Sequence, residues 1–75
     1  MDRLKSIMSK IFRVPQEKIT DEATMKDVPG WDSLTHIDLI LFLEKEFNIR
    51  LTGEDIAEMR NVKAIKEILH KYGVN

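Results

Sequence analysis

The 75-residue sequence contains no cysteine. That excludes disulfides, thiolate metal sites and a protein thiol as nucleophile. Histidine is scarce as well. His36 and His70 stand too far apart for an HxxxH or HExxH pair, so no metal site is expected. Neither sign of charge dominates, with 12 basic and 13 acidic residues and a net charge of −1. A basic face for nucleic acid is therefore not expected. No run approaches 18 consecutive apolar residues, so no membrane span is expected. The opening MDRLKSIMSKIF alternates in charge and lacks the apolar region of a signal peptide, which makes a soluble cytoplasmic protein the expectation. No stretch alternates with period two, and no repeat, low-complexity tract or second domain is visible. One domain over residues 1–75 follows. A chain this short buries only about 60 % of its unfolded surface, which leaves little room for a deep enclosed active site.

What is present is helical periodicity. Leu4, Ile7, Met8, Ile11 and Phe12 fall on one face of a first helix. Asp2 is its candidate N-cap, and Pro15 stops it near Arg13. Residues 15–32 form a long connection, with Ile19, Met25, Val28 and Trp31 as candidate anchors and a short helical turn expected around Thr20 to Thr24. A second helix starts at Asp32 or Ser33. Ile37, Ile40, Leu41 and Phe47 share a broad face of it, which Leu39, Phe42 and Leu43 extend round most of the circumference. Asn48 can end it in a left-handed conformation. Thr52 and Asp55 resemble a capping box for a short third helix carrying Ile56 and Met59. Asn61 caps a last helix with Val62, Ile65, Ile68, Leu69 and Tyr72 in register, stopped by Gly73. The expected fold is all-α: a small four-helix bundle with three longer helices, one short third helix and a long loop between the first two.

The stretch GWDSLTHIDL places Asp32-Ser33-Leu34 at the mouth of the second helix. The serine has three readings. It can be an ordinary first-turn residue beside an Asp32 cap. It can be a nucleophile, since Ser33 and His36 are i, i+3 neighbours. A helix surface, however, offers no cleft or oxyanion hole, and Trp31 interrupts the Gly-Asp-Ser-Leu string of a hydrolase family. Glu67 also stands where that family's second acid, three residues before a histidine, would be. The third reading is an attachment point. The first turn holds the hydroxyl outward at the positive end of the helix dipole, which favours an attached anion.

These residues carry a resemblance. Asp32-Ser33-Leu34, the Leu-x-x-x-Leu-Glu-x-x-Phe run from Leu39 to Phe47, and Ile49, Ile56 and Val62 at their spacings make the chain resemble the acyl carrier proteins from about Met1 to Tyr72. The resemblance implies a carrier and not an enzyme. A phosphopantetheinyl transferase, using coenzyme A and Mg²⁺, would attach 4′-phosphopantetheine to Ser33. The thiol of the arm would then hold acyl or aminoacyl groups as thioesters, supplying the sulfur that the chain lacks. Asp32 would cap the helix and contribute to the metal-bearing transferase complex. Leu34, Asp38, Leu41 and Glu44, extended by Leu51 and Glu54, would dock acyl-loading and acyl-processing enzymes. A different reading keeps the carrier fold as a helical interaction module that is never modified. A monomer is the expectation in either case.

Some residues depart from the fatty-acid-synthesis pattern. The chain is nearly neutral, Thr35 replaces an acid, and Lys45 and Arg50 add positive charge beside the docking face. Gly30-Trp31 before the motif looks more like stand-alone carriers of specialised pathways. In long-chain carriers of this family the acyl group lies between helices two and three. Bulky Ile56 and Phe42 predict a narrower cavity here, suited to short or polar cargo. His36, one turn beyond Ser33, is expected either to hydrogen-bond the phosphodiester or to be an exposed or partner-facing histidine.

Overall fold

The computed structural model describes residues 3–74. Four α-helices account for most of them: α1 (Arg3–Phe12), α2 (Ser33–Phe47), α3 (Gly53–Glu58) and α4 (Val62–Lys71). No strand occurs among the described residues. The three helices of 10, 15 and 10 residues and the one of six match the expected bundle. The proposed Asp2 cap lies outside the described residues.

One core joins all four helices. Leu4, Met8 and Phe12 of α1, Leu39, Ile40 and Leu43 of α2, Met59 after α3, and Val62, Ile65, Ile68 and Leu69 of α4 are buried. Their spacing of three and four within each long helix produces this convergence. On α2 the buried stripe is narrower than its composition suggests. Ile37, Leu41 and Phe42 are exposed, so the expected broad face is corrected to His36, Leu39, Ile40 and Leu43 with half-buried Phe47. Those positions form one i, i+3, i+4, i+7 stripe, whereas Ile37, Leu41 and Phe42 lie on other sides of the same helix.

The three long helices end alike. Arg13, Asn48 and Gly73 have positive φ of 59°, 54° and 82°. The amides of Val14, Ile49 and Val74 then donate back to the carbonyls of Ser9, Glu44 and Leu69, at 3.2, 3.1 and 3.0 Å. This is the Schellman arrangement, in which the residue after the left-handed one returns to the helix and adds an apolar contact. Val14, Ile49 and Val74 all pack against the core.

The long connection is anchored at both ends and in the middle. Its helical turn falls at Gln16–Lys18, directly after Pro15, and not at Thr20 to Thr24. The fixed φ of proline suits the residue that opens such a turn. Thr20 to Ala23 instead form a hydrogen-bonded turn, with Ala23 N–H donating to the Thr20 carbonyl at 3.0 Å. Ile19, Val28 and Trp31 are buried as expected; Met25 is exposed, and Ala23 takes the fourth place in the core. The connection also serves α4. The Val62 and Lys63 amides, which a helix start leaves unpaired, donate to the carbonyls of Ala23 and Asp21 at 3.2 and 2.9 Å. Lys5 and Lys66 reach the Asp21 carboxylate at 3.8 and 2.7 Å.

Between α3 and α4 the link is polar. Thr52 caps α3 and Asp55 answers in the reciprocal box, as its spacing suggested. The buried Asp55 carboxylate also receives Lys71 Nζ at 2.6 Å and the Tyr72 hydroxyl, from the end of α4. Lys71 first, and then Tyr72, holds its carboxyl well below the usual carboxylate range.

Candidate functional site

The start of α2 is built from six consecutive positions, Gly30 to Thr35. Gly30 turns the chain with φ +89° and runs so close to α1 that a Cβ would meet the Phe12 carbonyl oxygen at 2.6 Å. Trp31 follows and stacks on Phe12, with ring centroids 5.3 Å apart. Asp32 is the N-cap. Its Oδ1 accepts from the Leu34 and Thr35 amides, both at 3.0 Å. The Asp32 amide donates to Thr35 Oγ1 at 2.8 Å, and Thr35 Oγ1 donates to the Gly30 carbonyl at 2.6 Å. Thr35 thus closes the capping box from the position where an acid is usual and fastens the loop as well. The amide bonds it accepts, that from Thr35 first, lower the carboxyl pKa of Asp32.

Ser33 is the first residue of α2 and is exposed. The cap does not use its hydroxyl, which has no hydrogen-bond partner among the described residues. The environment for an anion differs from the expectation in one respect. The Leu34 and Thr35 amides already serve the Asp32 carboxylate, whose negative charge offsets the helix-end field. An anion here gains little from those donors. The amide bonds to Asp32 fall on Oδ1.

His36 corrects its expected exposure. It is buried, and its Nδ1 accepts a hydrogen bond from Trp31 Nε1 at 3.1 Å. Its other nitrogen must then carry the proton. The histidine is not an exposed residue. Burial pushes its pKa down.

Along α2 the exposed apolar side chains form a stripe: Leu34 is 76 % exposed, Ile37 54 % and Leu41 60 %. Asp38 and Glu54 are exposed beside it. Glu44 is half-buried and accepts the Leu51 amide at 2.8 Å, so it ties down the α2–α3 connection. Leu51 is buried in the core. Ile37 is exposed beside Leu34 and Leu41; the i, i+3, i+7 spacing of the three was the signal. Phe42 does not narrow the space between α2 and α3. It lies on the α1 side, in a groove with Arg3, Lys10 and Glu46.

A bundle of this topology, presenting an otherwise unused serine at a capped helix start beside an exposed apolar stripe, is a carrier-type scaffold. Residues 2–69 match the family model described as "Phosphopantetheine attachment site". Three relatives are each called "Acyl carrier protein". That of Buchnera aphidicola subsp. Baizongia pistaciae (strain Bp) is 33 % identical over 93 % of this chain and 90 % of its own. That of the subsp. Schizaphis graminum (strain Sg) is 37 % identical over 92 % and 89 %. That of the subsp. Acyrthosiphon pisum (strain Tuc7) is 33 % identical over 93 % and 88 %. The chain belongs to the acyl carrier protein family, whose working group is a covalently attached 4′-phosphopantetheine. No helix among the described residues is long and apolar enough to cross a membrane.

Proposed function

We propose that Ser33 carries the 4′-phosphopantetheine arm and that the chain, as one domain, presents acyl or aminoacyl thioesters on it to partner enzymes. The observation that carries this reading is the unused, exposed hydroxyl of Ser33 on a first turn that Asp32 and Thr35 hold without it. A transferase supplies the base that takes the serine proton as the serine oxygen attacks the phosphopantetheine phosphorus of coenzyme A; a P–O bond of its pyrophosphate breaks, and adenosine 3′,5′-bisphosphate leaves. Asp32 Oδ2 offers a carboxylate oxygen to the Mg²⁺ of that complex. The arm brings the thiol that a cysteine-free chain cannot provide. The protein itself catalyses nothing; it raises the effective concentration of a tethered intermediate at its partners' active sites.

The partners are a phosphopantetheinyl transferase and the acyl-loading and acyl-processing enzymes, met by a monomer in the cytoplasm. Leu34, Ile37 and Leu41 supply apolar contact, and Asp38 and Glu54 supply charge for steering. Ile56, packed against the core, favours short or polar cargo. Long-chain loading that shifts core NMR signals as far as in a fatty-acid carrier would contradict that preference.

Intact mass after incubation with coenzyme A and a promiscuous transferase tests the site. One arm should be added, and Ser33→Ala should abolish the addition. No addition under conditions that load a control carrier would overturn the proposal.

A further inference from the structure

Three side chains form a continuous line next to the start of α2. Phe12 closes α1, Trp31 stacks on it, and His36 of α2 accepts the Trp31 N–H. The Trp31 and His36 rings are themselves stacked, with centroids 6.1 Å apart and planes 23° apart. Trp31 is 2 % exposed and His36 8 %. Nothing in the carrier reading uses this pair, a buried titratable ring that accepts from a buried indole.

The chemistry of the bond is one-sided. Indole N–H only donates. His36 Nδ1 can accept it only while that nitrogen is unprotonated, and an imidazolium carries hydrogen on both nitrogens. Protonation would therefore set two N–H groups against each other at 3.1 Å. No nearby charge offsets this. Arg13, Asp27 and Asp38 are exposed. Oδ1 of Asp32 is turned to the Leu34 and Thr35 amides, and the carboxylate of Asp55 to Lys71 and Tyr72. Burial, opposed by the Ile56 backbone, sets the titration of the ring.

The geometry points to an acid-released latch: neutral His36 ties the Gly30–Trp31 loop to α2, and its protonation frees Trp31 and loosens the loop that precedes Ser33. The inference does not rest on modification of Ser33 and applies equally to the unmodified chain. Because burial lowers the pKa from the ordinary histidine value of about 6.5, the latch holds at neutral pH and opens as pH falls below that value.

Trp31 is the sole tryptophan, so intrinsic fluorescence reports on it alone. The intact protein is titrated from about pH 7.5 to 4.5, whose acid end overlaps ordinary Glu titration, so the His36 ring signals assign the midpoint. Fluorescence, far-UV circular dichroism and the His36 ring signals by NMR are followed together. The expected result is a red shift of Trp31 emission whose midpoint coincides with His36, with helical dichroism retained. His36→Gln, whose side-chain oxygen accepts a hydrogen bond but does not titrate, should abolish the shift. A flat emission, a shift that persists in His36→Gln, or loss of helix at the same midpoint would each overturn the latch. Trp31→Phe provides an independent check, since removing the donor should raise the His36 midpoint; an unchanged midpoint would also overturn it.

Discussion

The backbone of Gly30 lies against the carbonyl of Phe12 closely enough that a Cβ would stand 2.6 Å from the oxygen. This contact lets Trp31 reach the Phe12 ring and sets where α2 begins. Gly30→Ala combines a backbone clash with a φ of +89° that suits glycine. It should lower stability by about 2 kcal/mol or more, seen as a lower midpoint in urea unfolding with an unchanged slope. A neutral Gly30→Ala would show that the loop can shift away from α1 at no cost.

Arg13 offers the opposite change. It holds a left-handed conformation at φ 59° without being glycine, at a strain of about 1–2 kcal/mol. Arg13→Gly removes that strain and adds about 0.5–1 kcal/mol of chain entropy. The net expectation is a gain of about 0.5 kcal/mol and a higher thermal midpoint.

Acid should weaken the junction of α3 and α4. The folded-state pKa of Asp55 is depressed, chiefly by Lys71, against an unfolded value of about 3.9. Its contribution is therefore complete above that value and is lost as pH falls below it toward the lower folded value. Asp55→Asn should be less stable than the parent at pH 7. Its thermal midpoint should also fall less steeply than the parent's between about pH 5 and 2. Parallel curves for the two proteins would remove Asp55 from the acid response. At the alkaline end the pKa values of Lys71 and Tyr72 are raised, both chiefly by Asp55, so their contribution persists at neutral pH and declines above about pH 10.

The stripe on α2 is separable from the fold. Leu34→Ser and Leu41→Ser remove exposed side chains and should change stability by no more than about 0.5 kcal/mol. As centres of a docking surface they should each lower kcat/KM for loading by the transferase by about fivefold or more. Ile37→Ser should behave likewise, whereas Leu51→Ser should act through stability. Loading rates that follow stability alone would remove the stripe from recognition.

The parts of the fold legible in the sequence were those carried by local chemistry. Pro15 stopping α1, Asn48 and Gly73 taking positive φ, and the Thr52–Asp55 and Asn61 caps all depend on a few adjacent residues. The features that escaped depend on which neighbour occupies which side. Hydropathy alone does not tell Ile40, buried, from Ile37, exposed, on a helix rich in both. The burial of His36 needed Trp31 to fold back and supply a donor, a relationship five residues apart across a loop. Leu51 looked like surface because it stands among polar residues, yet its amide is held by Glu44 and its side chain is in the core. At the site itself, Asp32 and Ser33 were placed correctly at the helix start. The capture of the first-turn amides by Asp32 was not, because it follows from the cap geometry.

The cap places the hydrogen bonding of this first turn on Asp32 and Thr35, with Gly30 behind them. Many small residues could stand at position 33 without disturbing the bundle. Folding is therefore blind to that side chain, and only a partner's chemistry distinguishes serine from alanine there. A chain of this design can lose its arm and remain the same well-packed protein.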